Sequence, residues 1–123
     1  MIDHTGLSVS DFARAREFYV AALRPLGYGV IMEFDQAAGL GDLATLKPDF
    51  WIGGGTAAHP PLHVAFRAAD RDAVRKFYDA AIAAGGRDNG PPGLREHYHP
   101  NYYGAFVLDP DGNNIEAVCH MPP

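Results

Sequence analysis

Asp109-Pro110-Asp111-Gly112-Asn113-Asn114-Ile115-Glu116-Ala117-Val118 is the stretch from which the rest of the chain is read. Pro110 presets φ for a turn, Gly112 is free to take φ > 0, and the neighbouring Asp and Asn side chains can bond their own backbone. A strand begins at Asn113 or Asn114. Alternation sets Ile115, Ala117 and Cys119 on one face and Asn114, Glu116, Val118 and His120 on the other. A carboxylate in an apolar strand is costly to bury unless it is paired or ligates a metal. Glu116 therefore needs partners elsewhere in the chain.

The elements upstream alternate between strand and helix periods. Residues 2–9 read as a strand, with His4, Gly6 and Ser8 on one face and Leu7 and Val9 on the other. Ser10 and Asp11 suit a helix start, and Phe12, Ala15, Phe18, Tyr19, Ala22 and Leu23 recur at helical spacing until Pro25 and Gly27. Strands are expected at Tyr28–Phe34, Asp42–Leu46 and Phe50–Ile52, separated by Gly39, Gly41 and Pro48. Leu62–Phe66 begins again with a strand, setting His63 and Ala65 opposite Val64 and Phe66. Asp70 caps a second helix that ends at Gly85-Gly86. A long polar connection, Arg87–Tyr103, leads to a strand at Gly104–Leu108 and then to the closing hairpin.

The two halves match at one constant offset. His4 falls on His63, Asp11 on Asp70, Phe18-Tyr19 on Phe77-Tyr78, Ala22 on Ala81 and Gly27 on Gly86. Each half reads strand–helix–strand–strand–strand, giving an α+β fold of two tandem βαβββ modules within a single domain, about 1–57 and about 58–123. The apolar strand faces pack against the helices, which lie outside. The other faces line a cavity.

His4, His63 and Glu116 all lie on the cavity faces. Two imidazoles and one carboxylate make a divalent-metal site with positions left for water or substrate. Their spacing alone is a weak signal. The repeat strengthens it by placing His4 and His63 at equivalent points of equivalent strands.

Composition narrows the remaining classes. A chain of 123 residues with 47% apolar content builds a real core, and its net charge of −5 argues against nucleic acid or an anionic membrane as partner. No run approaches the roughly 20 apolar residues of a membrane span. The single Cys119 excludes an intramolecular disulfide, and with no signal peptide a cytoplasmic location is expected.

The tandem βαβββ plan, a strand His opening each module and the Asp109-Pro-Asp-Gly-Asn-Asn-Ile-Glu116 hairpin resemble the vicinal oxygen chelate superfamily over essentially the whole chain. That group holds glyoxalase I, fosfomycin-resistance thiol transferases, extradiol dioxygenases and bleomycin-binding resistance proteins. The resemblance implies curved mixed sheets wrapped around a divalent metal, with ligands at His4, His63 and Glu116, and a homodimer that completes or shields the cavity. The fourth glyoxalase I ligand would fall in Asp49–Gly55, where the inward position holds Trp51 or a neighbour. That set is therefore incomplete. His-His-Glu instead resembles the fosfomycin and extradiol branches. Extradiol enzymes are about twice this length, and fosfomycin enzymes need a basic pocket that scattered residues such as Arg67 and Arg95 do not supply.

Arg95-Glu-His-Tyr-His-Pro-Asn-Tyr-Tyr-Gly104 is rich in functional side chains beside the cavity mouth. His97 or His99 suits a general acid or base, and Tyr102 or Tyr103 could orient a substrate oxygen, Tyr103 being preferred. Cys119 reads as a small buried hydrophobe, His120 as a supporting or exposed residue, and Trp51 as a cavity wall. The expected function is a metal-dependent enzyme acting on a small oxygen-bearing substrate, using iron, zinc, nickel or manganese. The alternative is a metal-free small-molecule or drug-binding protein.

Overall fold

Aspartates begin both helices. The computed structural model describes residues 1–123. In it Asp11 accepts from the Arg14 backbone N–H at 3.1 Å to start α1, Phe12–Leu23, and Asp70 accepts from that of Ala73 at 2.8 Å to start α2, Arg71–Ala83. A 3₁₀ turn, Arg24–Leu26, follows α1 and stops at Gly27, whose φ of +82° is left-handed. The first half forms a four-stranded sheet in the order β1 (Thr5–Val9), β4 (Lys47–Gly54), β3 (Ala37–Asp42), β2 (Tyr28–Phe34). The second half forms β5 (His63–Arg67), β9 (Asn114–Cys119), β8 (Tyr103–Leu108), β6 (Arg87–Asp88), with β7 (Gly93–Leu94) also paired to β8. Each sheet is mixed: β1 runs parallel to β4 and β5 parallel to β9, and the other pairs are antiparallel.

Two sequence expectations need correction. The third strand is Ala37–Asp42, and residues 43–46 form a turn in which Asp42 accepts from the Ala44 backbone N–H at 2.8 Å. Gly39 and Gly41 look like separators but are strand positions emptied for neighbours. A Cβ at Gly39 would lie 2.8 Å from the Trp51 ring, and one at Gly41 only 1.9 Å from the Lys47 carbonyl oxygen. The connection 87–103 also carries two short strands, β6 and β7, where a continuous loop was expected. Their two-residue length leaves no period to read.

The apolar strand faces meet the helices as alternation requires. One cluster of 21 buried residues runs through both halves, including Leu7, Val9, Phe18, Leu23, Ile52, Phe77, Val107, Ile115 and Cys119. Edge-to-face aromatic contacts cross it, with Tyr19 against Phe50 at 5.1 Å and Phe50 against Phe66 at 5.2 Å. No helix is long and apolar enough to cross a membrane.

The closing hairpin is anchored to the first half. Gly112 takes φ +89°, and buried Asp109 accepts from the backbone N–H groups of Asp111 at 2.9 Å and Asn113 at 2.8 Å. Asp109 also accepts from the hydroxyl of Tyr19 on α1, and Asp111 accepts from the Ser10 backbone N–H at 2.9 Å. Asn113 Oδ1 takes the Leu62 N–H at 2.8 Å, fixing where β5 begins. This turn thus sets the register that places His63 opposite Asn114, two residues before Glu116.

Candidate functional site: a buried carboxylate between histidine and tyrosine

Glu116 is 1% exposed, yet it lies on the face of β9 away from the helices. Its two oxygens have different partners. His63 Nε2 lies 2.9 Å from Oε1, and the Tyr102 hydroxyl donates to Oε2. The second β-ladder brings these groups together: Ala65 and Phe106 flank Glu116 in register, so His63 reaches in from β5 and Phe106 from β8. Gly104 makes room, since a Cβ there would sit 3.2 Å from the Tyr102 ring and 3.4 Å from Glu116 Oε2.

Tyr102 is held over the carboxylate by the preceding loop. Its carbonyl accepts from Arg95 N–H at 2.7 Å and its N–H donates to the His99 carbonyl at 3.1 Å. Its ring packs between Tyr98 at 4.8 Å and His120 at 5.3 Å. His99 Nδ1 accepts from the Asn101 N–H at 3.2 Å, so a neutral His99 carries its proton on Nε2 and donates to His120 Nδ1. Burial first, and then the bond to Glu116, raises the Tyr102 pKa well above the ordinary phenol range.

The other residues singled out in the sequence spread around this centre. His4 lies just before β1, exposed, with Nδ1 2.7 Å from Asp3 Oδ1. No three His, Cys, Asp or Glu side chains of the chain gather as a metal-holding group. His97 packs on Tyr98 at 4.2 Å and lines a cleft of about 310 Å³ with Asn89, Arg95, Phe106 and Asn114. Tyr103 points the other way, to α2, where Arg75 Nη1 donates to its hydroxyl at 3.1 Å. His63 also borders a larger cleft, about 630 Å³, with Asp3, Thr5, Tyr28, Asp49 and Arg67. Trp51 stacks on Phe34 at 6.3 Å and 15° on the first sheet.

Tyr102 touches Glu116, and the sequence held a signal for it. The β8–β9 register pairs Phe106 with Glu116, so residues 102, 104 and 106 share the carboxylate's face and 103 does not. Applying that parity to the Tyr102-Tyr103 pair separates the two. The His99–His120 pair carried no such signal, because it joins a loop to a strand end.

The sequence profile of the Glyoxalase/Bleomycin resistance protein/Dioxygenase superfamily matches residues 1–117. No curated protein matches the chain. Among solved structures, a glyoxalase/bleomycin resistance protein from Albidiferax ferrireducens T118 is 28% identical, with 98% of each chain covered and a TM-score of 0.81. A glyoxalase/bleomycin resistance protein/dioxygenase family enzyme from Burkholderia phytofirmans PsJN shares the fold at 20% identity, 98% coverage of each chain and a TM-score of 0.73. The E144Q mutant of glyoxalase I from Zea mays is 25% identical over 95% of this chain and 46% of its own, with a TM-score of 0.69.

Proposed function

Because this chain belongs to the Glyoxalase/Bleomycin resistance protein/Dioxygenase superfamily, we propose that it is a divalent-metal-dependent enzyme acting on a small oxygen-bearing substrate. One observation carries this reading: His63 Nε2 and Glu116 Oε1 converge to 2.9 Å in a setting where the carboxylate is buried. A neutral imidazole nitrogen and a carboxylate oxygen suit zinc, iron, nickel or manganese equally, so the donor set fits the group without selecting the metal. His4 is the third ligand in this reading. Its ring is exposed and bonded only to Asp3 within its own chain, which leaves it free to serve a second copy. The active species is accordingly a homodimer in which His4 of one copy faces His63 and Glu116 of the other.

When bound, the metal supplies Lewis acidity that stabilises an anion on substrate oxygen. The chain's own groups do the rest. Tyr102 occupies Glu116 Oε2, leaving Oε1 as the oxygen turned to His63. His99, donating to His120, and His97 in its cleft serve as proton carriers in this reading. Tyr103 lies on the helix side, where its hydroxyl accepts from Arg75.

Elemental analysis of untagged protein tests the proposal. Near-stoichiometric metal in the wild type, lost in His63→Ala and Glu116→Ala, is the expected result; metal-free wild type that gains no thermal stability from added ions would sink it. A metal-free binding function is the second reading. It is favoured by the Trp51–Phe34 stack beside a groove of about 380 Å³ floored by Gly6, Gly53 and Gly54, a surface suited to a flat apolar ligand.

A further inference from the structure

On the helix side of the second sheet, behind Glu116, two arginines share one tyrosine. Arg71 opens α2, and its guanidinium carbon lies 5.1 Å from the centroid of the Tyr103 ring; Arg75, one turn later, lies 5.6 Å from it. Arg75 donates to the Tyr103 hydroxyl at 3.1 Å. The Arg71 guanidinium makes no hydrogen bond, and its Nε is buried without a partner.

The nearby carboxylates are already engaged. Asp70 caps the helix through the Ala73 N–H at 2.8 Å, and Asp72 pairs with Lys76 Nζ at 2.9 Å. Neither guanidinium takes part in an ion pair; among the other Arg and Lys side chains only Arg16, Lys47 and Lys76 do. Like charges at i and i+4 repel, and an orphaned buried N–H carries an uncompensated desolvation cost. An apolar or cationic ligand would relieve neither. A small oxyanion would relieve the repulsion, because its oxygens accept from two guanidinium groups at once.

We propose that the cleft of about 400 Å³ bounded by Arg71, Arg75, Tyr103 and Pro122, with the engaged Asp70 and Asp72 also on its wall, binds a small oxyanion, the phosphate or carboxylate group of a free metabolite. Arg71 and Arg75 are its donors, and Tyr103 orients both guanidinium planes. The site lies on the opposite face of the sheet from Glu116 and needs no metal.

The test is a titration of the full chain with inorganic phosphate, and separately with acetate, in chloride buffer. Expected are a saturable movement of the Arg71 Nε–Hε resonance and a rise in melting temperature. Arg71→Gln should abolish the rise, and Arg75→Gln should weaken binding roughly tenfold or more. Lys76→Gln, on the same helix but paired with Asp72, should bind as the wild type does. Movement with phosphate alone assigns a phosphate group; equal movement with acetate assigns a carboxylate. An Arg71 resonance that stays still while other signals drift, or equal affinity in Arg71→Gln, overturns the site. The resonance is read on the wild-type chain, so the result stands even if a variant folds poorly.

Discussion

Trp51 stands in the first sheet where Glu116 stands in the second. Gly6 pairs with Trp51 and Ala65 pairs with Glu116 in parallel ladders; two residues upstream, His63 opens the second ladder and His4 lies just before the first. The repeat has therefore kept its geometry and changed its chemistry. One open face offers a stacked indole, the other a buried carboxylate with two hydrogen-bond partners. A chain so built supplies one carboxylate ligand, so metal should saturate at one ion per chain by elemental analysis. A ratio near two would show that the first sheet holds ligands of its own.

Tyr102→Phe tests the bond that holds Glu116. The variant leaves Oε2 of a buried carboxylate without its donor. Losing a hydrogen bond to a charged group costs roughly 1.5–3 kcal/mol. Tyr102 is only half-buried, so water reaches part of the vacated space, and about 1 kcal/mol is expected from urea unfolding. A change below about 0.3 kcal/mol, within ordinary surface effects, would mean that the bond contributes nothing.

Three tyrosines, Tyr19, Tyr28 and Tyr102, donate to the carboxylates of Asp109, Asp49 and Glu116. Burial first, and then the facing carboxylate, raises all three pKa values, that of Tyr28 to about 12. A raised folded pKa means the native state keeps protons that the unfolded chain loses near pH 10. Their contribution is whole below that pH and declines above it. The urea midpoint should therefore fall steadily between about pH 10 and 12. Tyr28→Phe should make that fall shallower.

Gly27 and Gly86 match in the sequence repeat but meet different needs. Gly27 sits at φ +82° in open space, so Gly27→Ala should cost about 1 kcal/mol of backbone strain. A Cβ at Gly86 would lie 2.4 Å from Val107 Cγ1 and 2.8 Å from the Ala81 carbonyl oxygen. Gly86→Ala should cost more, about 3 kcal/mol at the upper end of overpacking. Thermal unfolding of the two variants ranks them, and the reverse order would contradict the close packing of Gly86.

The legible parts of this chain were those with a period or a cap. Asp11 and Asp70, the two apolar stripes and the alternation around Glu116 gave both helices and the faces of β1, β5 and β9. What escaped was set by contacts with no local pattern. Gly39 and Gly41 were emptied for Trp51 and for the Lys47 carbonyl, both in the next strand. The His99–His120 pair depends on how a loop folds onto a strand end. The Tyr102 contact was readable in principle, because it follows strand parity back from Phe106.

The shared-site reading makes a prediction that single variants cannot. His4→Ala removes one half of the proposed site and Glu116→Ala the other, so each homodimer alone should bind little metal. In a mixed dimer the two lesions fall differently. The Glu116→Ala chain still brings an intact His4, and the His4→Ala chain still brings an intact His63 and Glu116, so one of the two sites is whole. Unfolding the variants together and refolding them should give about half the dimers as mixed species. Bound metal should then recover to about one quarter of the wild-type level, half the dimers carrying one of two sites. Ligands drawn from one chain give no recovery, because every chain then carries a lesion in its own site. Elemental analysis of the refolded mixture beside each variant refolded alone separates the two arrangements.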